Sequence, residues 1–246
     1  RGGMADVWSA RDTRLRRMVA IKTIVAGLSK DIDPVELFKR EAHTIAQMEH
    51  PHILPIYDFG EFENSLYIVM RYITGGSLED KLREGPMPPE DVLRMGESIG
   101  QALDYAHSNN VIHLDLKPPN ILLDSSGSPY LADFGLATVL DPEGRARNPG
   151  SGTLLYMAPE QMLSDTIDHR ADIYSFCIML YHMLTGHLPF DGNIPLSMSQ
   201  VQRDIGLPSL RDQVNYLPDT LTDLLRLGTI EDPKFRPETH MEVMDQ

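Results

Sequence analysis

Residues 111–135 read VIHLDLKPPNILLDSSGSPYLADFG, and this stretch decides the fold. Ile121, Leu122 and Leu123 form an apolar run. Ser125, Ser126 and Gly127 are turn formers, and Tyr130, Leu131 and Ala132 resume an extended pattern. The order is therefore loop, strand, turn, strand. If the two runs pair about Ser126–Gly127, Asn120 and Asp133 stand opposite each other with side chains about 5 Å apart. An amide oxygen and a carboxylate then converge, as the hard oxygen ligands of Mg2+ do. Upstream in the same loop, Asp115 and Lys117 add a candidate base and a cation. The plainer alternative is an ordinary hairpin with polar ends.

Composition narrows the function classes. A chain of 246 residues, 41% hydrophobic, can bury a full core as one large or two modest domains. A formal net charge of −14 opposes a nucleic-acid partner, whose phosphates need a basic face; otherwise it reads as a solvated surface. Cys177 is the single cysteine, so no internal disulfide forms and a reducing compartment such as the cytoplasm fits. No apolar run approaches the ~18–20 residues of a membrane span and no signal peptide opens the chain, so this segment is expected to make no membrane contact. The sequence starts at Arg1, inside a motif, and reads as a piece of a longer protein.

Working outward, RGGMADV at residues 1–7 places Gly2 and Gly3 before a β-rich segment. Such a pair is either a simple turn or a phosphate-covering loop, whose N–H groups approach an anion where no Cβ intervenes. Residues 18–24 read as a strand, with Ala20 and Lys22 on one face. A lysine on an inner face needs an anion. The next helix starts at Asp33-Pro34-Val35-Glu36 and carries a stripe of Leu37, Ile45 and Met48. Glu41 falls on that stripe, so pairing with Lys22 is the economical explanation; a solvated edge position is the alternative. His50-Pro51-His52 lacks further ligands at a useful spacing and reads as a structural loop. Residues 53–60 and 66–72 read as strands, and 88–109 as a packing helix with Val92, Met95, Ile99, Leu103 and Ala106 on one face. About two dozen residues with little regular pattern follow Gly135. Residues 171–184 are apolar nearly all round and read as a buried helix, with Cys177 and Met183 in the core. Residues 221–227 read as a helical turn or two.

H-x-D-x-K-x-x-N followed by D-F-G at hairpin spacing resembles the catalytic and metal-binding loops of protein kinases, and Lys117 matches their serine/threonine-specific pattern. The resemblance covers essentially the whole chain and is closest to bacterial kinases of the eukaryotic type. It implies an α+β, bilobal fold: a small antiparallel N-lobe sheet with one main helix over residues 1–72, a hinge at 71–76, and a mostly helical C-lobe over 77–246. The activation segment would span 133–160, and most of the first strand would precede Arg1. Gly2, Gly3 and Val7 match the glycine-rich loop, with Ala5 where a third glycine is usual. Lys22 in VAIK and Glu41 match the lysine–glutamate pair that orients the α/β-phosphates. Ala20 and Leu122 would belong to the nucleotide-binding set, Met70 matches the gatekeeper, the backbone of Arg71 and Ile73 would meet the adenine edge, and Ser77 would lie near the ribose. Thr153 would contact Asp115 and Lys117. Asp172 would anchor the catalytic loop, and Glu160 in A-P-E would pair with Arg236.

The implied activity is transfer of the γ-phosphoryl of ATP to Ser or Thr hydroxyls of protein substrates. Asp115 acts as base, Lys117 sits on the γ-phosphate, and Asn120 and Asp133 hold Mg2+, with Mn2+ as a substitute. Self-association for autophosphorylation belongs to the same expectation. Leu114 departs from the family, which usually has an arginine there to grip an activation-segment phosphate. Activity is therefore expected to depend little on phosphorylation of that segment, where Ser151 is the expected acceptor. Two rivals remain at this stage. One is a pseudokinase acting as an ATP-binding scaffold; the other is a small-molecule phosphotransferase, against which Lys117, the long segment and the Glu160–Arg236 pair argue.

Overall fold

The computed structural model of the chain describes residues 5–25, 42–62, 65–134, 138–139, 143–147, 154–190, 207–210, 214, 217 and 219–244. Four strands, β1 (Ala5–Asp12), β2 (Arg17–Val25), β3 (Ile56–Phe62) and β4 (Ser65–Arg71), make an antiparallel sheet in the order β1-β2-β4-β3. Asp12 closes the first turn: its Oδ1 accepts from the N–H groups of Arg14 at 2.9 Å and Leu15 at 3.0 Å. Such a side-chain-to-backbone bond is why aspartate favours turns. The register sets Val7 opposite Lys22 and Ala20 opposite Met70. Opposed residues share a face, and so do residues two apart. Val7, Ala20, Lys22 and Met70 therefore line one side of the sheet. Residues 42–46 are helical, and Ile45 and Met48 are buried as the expected stripe requires. The start of that helix at residues 33–36, Leu37 and Glu41 lie outside the described residues.

The rest is mainly helical: α1 (Leu78–Leu82), α2 (Pro89–Ser108), α3 (Pro159–Leu163), α4 (Arg170–Thr185), α5 (Asp219–Gly228) and α6 (His240–Met244). On α2, Val92, Met95, Ile99, Leu103 and Ala106 are all buried. In α4 every residue from Ala171 to Tyr181 is buried, as a helix apolar on all sides demands. Cys177 sits in that core, and burial pushes its thiol up to about 12, so it stays an inert hydrophobe. Arg236 packs against α4 with its side chain 0% exposed. It donates to Glu160 Oε1 at 2.5 Å and Oε2 at 2.8 Å, and to the carbonyls of Arg170, Ile230 and Glu231. Every guanidinium N–H thus has an acceptor, the condition under which a buried cation is tolerated.

Two expectations need correction. The segment after Gly135 is not patternless. Thr138–Val139 (β8) pairs with Val111–Ile112 (β5), and Ala146–Arg147 (β9) pairs with Thr166–Ile167 (β10). Two-residue strands have no periodicity to read; they form because ordered backbone already offers them partners. The hairpin register also differs by one residue. β6 (Ile121–Leu123) and β7 (Pro129–Leu131) pair Ile121 with Leu131 and Leu123 with Pro129. Asp124 N–H donates to the Ser128 carbonyl at 3.1 Å, Gly127 N–H donates to the Asp124 carbonyl at 2.9 Å, and Gly127 has φ 81°. This is a three-residue loop ending in a left-handed glycine, which adds one residue to one side of the turn. Asn120 therefore meets Ala132, whose N–H donates to the Asn120 carbonyl at 2.9 Å, and Asp133 lies one position beyond the pair.

Candidate active site

The loop before β6 is held from below. Asp172, in the first turn of α4 and 0% exposed, accepts from the N–H groups of His113 at 2.7 Å and Leu114 at 2.8 Å. Burial pushes the Asp172 carboxyl up, but the hydrogen bond and charge of His107, the charge of His113 and its N–H outweigh it and hold the group well below the usual carboxylate range. Leu114 has φ 62°, a strained value for a bulky side chain, and its carbonyl accepts from buried Gln161 Nε2 at 3.1 Å. His113 Nε2 donates to the Ala132 carbonyl at 3.0 Å, fastening the loop to the end of β7. Gln161 is not singled out by the sequence, and His113 enters there only as the first position of H-x-D-x-K-x-x-N, without a role. The only available signal was the closeness of His113 to Asp115, because Gln161 acts through a backbone carbonyl.

On this support Asp115, Lys117 and Asn120 come together. Lys117 Nζ lies 2.6 Å from Asp115 Oδ2. Asn120 ends a 3-10 turn, Pro118–Asn120, and its Nδ2 donates to the Asp115 carbonyl at 2.8 Å and to Asp115 Oδ2 at 3.2 Å. Its NH2 is thereby spent on Asp115, which leaves the amide oxygen as the end able to face a cation. Across from this cluster, Lys22 and Asp133, 111 positions apart in sequence, form an ion pair. Asp133 has φ 61°, a left-handed value that aspartate tolerates. Burial pushes its carboxyl up, but the Lys22 ammonium, with His113 and Lys117 behind it, outweighs burial and holds it below the usual range.

Met70, Ile73 and Leu122 pack on a small cluster of Leu54, Tyr130 and Ala132, giving an apolar floor next to the Lys22–Asp133 pair. Residues after β4 dock directly on β6. Gly75 N–H donates to the Leu123 carbonyl at 2.8 Å, Leu123 N–H donates to the Gly76 carbonyl at 2.9 Å, and Ser77 bridges Leu122. A Cβ on Gly75 would sit 2.3 Å from the Asp124 carbonyl oxygen, so only glycine fits. Arg71 is tied down by its N–H to the Pro55 carbonyl at 3.0 Å and by Nη1 to the Tyr130 hydroxyl at 3.2 Å. Ser77 caps α1. Its hydroxyl donates to Asp80 Oδ2 at 2.7 Å and accepts from Asp80 N–H at 3.2 Å, so a ribose would find only one lone pair on it. Val7 is 63% exposed on the same sheet face as Lys22. Gly2, Gly3, Glu41, Ser151 and Thr153 lie outside the described residues. The His50–His52 loop is structural, as its sequence suggests: His52 Nδ1 donates to the Pro129 carbonyl at 2.9 Å. An apolar pocket of about 300 Å³ between α2, α4, α5 and α6, lined by Val92, Leu180 and Leu224, includes none of these polar groups.

A family model described as "Protein kinase domain" matches residues 1–246. The serine/threonine-protein kinase PrkC of Bacillus subtilis (strain 168) is 36% identical over 240 residues, covering 97% of this chain and 37% of that protein. The serine/threonine-protein kinase PknB of Mycobacterium tuberculosis (strain ATCC 25618 / H37Rv) is 39% identical over 252 residues, covering 98% and 40%. PknE of Mycobacterium bovis, named likewise, is 42% identical over 238 residues, covering 96% and 42%. The chain spans about two-fifths of the length of these relatives. With the family match running from Arg1 to Gln246 and these relatives aligned over nearly all of it, the chain belongs to the protein kinase domain family.

Proposed function

We propose that the chain transfers the γ-phosphoryl group of ATP to Ser or Thr hydroxyls of protein substrates. The observation that carries this reading is the Lys22–Asp133 ion pair standing beside the Asp115–Lys117–Asn120 cluster, above the floor of Met70, Ile73 and Leu122. In the proposed complex the apolar floor takes the adenine, and Lys22 moves from Asp133 onto the α/β-phosphates. The freed Asp133 carboxylate and the Asn120 amide oxygen fit a hard divalent cation such as Mg2+. When bound, that ion neutralises charge on the phosphates. Asp115 orients the acceptor hydroxyl and takes its proton as the oxygen bonds to the γ-phosphorus. The bond from that phosphorus to the bridging oxygen breaks, and ADP leaves. Lys117 balances the charge of the transferred group. The names of the relatives support the Ser/Thr preference. The ATP requirement and the buried Cys177 thiol suit the cytoplasm, and among the described residues no helix is long and apolar enough to cross a membrane.

The test is incorporation of labelled γ-phosphate into a Ser/Thr peptide library with Mg2+. Label is expected on Ser and Thr, with Asp115→Asn and Lys22→Met each losing a factor of about 10² or more at unchanged thermal midpoint. Equal incorporation by either variant refutes the assigned role.

A further inference from the structure

Where α2 crosses α6, outside the candidate active site, one ligand-type atom from each of Asp104, His107 and His240 lies within 4.8 Å of the other two. The side chains of His240 and His107 are 0% and 10% exposed. A carboxylate holds each ring at one nitrogen: Asp172 Oδ2 is 2.8 Å from His107 Nε2, and Asp104 Oδ1 is 2.7 Å from His240 Nδ1. The remaining nitrogens, His107 Nδ1 and His240 Nε2, are buried and have no hydrogen-bond partner among the described residues. The two ring centroids are 5.0 Å apart. Buried polar atoms are nearly always paired, and stripping water from an imidazole nitrogen without replacing it is unfavourable. His107 Nδ1 belongs to a ring that Asp172 already orients through Nε2, and it calls for a partner of its own.

Two imidazoles and a carboxylate suit a borderline-soft divalent ion, and a carboxylate behind a ring is what orients a ligating histidine and raises its basicity. We propose that Asp104, His107 through Nδ1, and His240 through Nδ1, where the ion replaces the proton shared with Asp104, bind one divalent cation of the Zn2+ class. Tetrahedral coordination sets ligand atoms about 3.3 Å apart, so the three side chains close by roughly an ångström on the ion. The bound ion ties α6 to α2. Through His107 and Asp172 it also stiffens the bracket that holds His113 and Leu114.

The experiment uses tag-free, chelator-treated chain. Equilibrium dialysis should give one Zn2+ per chain, and Co2+ should produce the strong visible absorption of a tetrahedral complex. Asp104→Asn and His240→Gln should each weaken binding by about tenfold or more, whereas Asp133→Asn should leave it intact, because that variant alters the candidate nucleotide-metal site instead. If His240→Gln does not fold, Asp104→Asn carries the comparison. No uptake by the wild-type chain overturns the proposal, as does uptake unchanged by both cluster variants or abolished by Asp133→Asn.

Discussion

Asp172 Oδ1 accepts the N–H of Leu114 at 2.8 Å, so a carboxylate at the start of the central helix holds a leucine in a left-handed conformation. That conformation disfavours an ordinary side chain by about 1–2 kcal/mol. Replacing Asp172 by Ala leaves two buried N–H groups without acceptors, at about 1–3 kcal/mol each. Asp172→Ala is expected to lower the urea midpoint and to depress phosphoryl transfer, because Asp115 follows Leu114 directly. A midpoint equal to that of wild type would show that the bracket contributes nothing to stability.

Arg236 and Glu160 should fail asymmetrically. Arg236→Met strands a carboxylate that is 10% exposed and is expected to destabilise the fold by about 3–5 kcal/mol. Adding Glu160→Gln to that variant should recover part of the loss, since the stranded charge is gone. Denaturant unfolding of the two single variants and the double variant reads the coupling.

Gly75→Ala places a Cβ 2.3 Å and 2.4 Å from the carbonyl oxygens of Asp124 and Leu123. Both obstacles are backbone, so the strap after β4 must lift off β6. A loss of about 1–3 kcal/mol and a higher KM for ATP are expected, read by thermal unfolding and steady-state kinetics.

His182 supplies a pH dependence. Burial lowers its pKa below 6.5, the nearby His187 lowers it further, and Glu79 opposes both. The unfolded chain then takes up a proton more readily than the folded one, so this contribution to stability is present above about pH 6.5 and is lost as pH falls. The urea midpoint should be lower at pH 5.5 than at pH 7.5. His182→Gln, which can keep a hydrogen bond to the Tyr156 hydroxyl, should narrow that difference.

Much of this was legible in the chain. Apolar periodicity placed α2 and α4 within a residue of their observed ends, because burial of a long face leaves a strong signal. The clustering of Asp115, Lys117 and Asn120 followed from spacing within one loop. Sequence pattern assigns Lys22 a partner in Glu41 and does not foresee its ion pair with Asp133, since no local pattern links positions so far apart. The hairpin register was missed by one residue because a symmetric turn was assumed, whereas Gly127 takes a left-handed conformation. The short strands β8 and β9 were missed because their partners, not their own residues, make them strands. The Asp104–His107–His240 group was invisible because its members are separated by up to 136 positions.

The offset at Gly127 has a mechanical consequence. Among the described residues the bond from Ala132 N–H to the Asn120 carbonyl is the last backbone bond of the hairpin, so Asp133 stands just beyond the paired backbone. In the proposed exchange of Lys22 for another cation, its carboxylate breaks one ion pair and leaves the strands beneath it zipped.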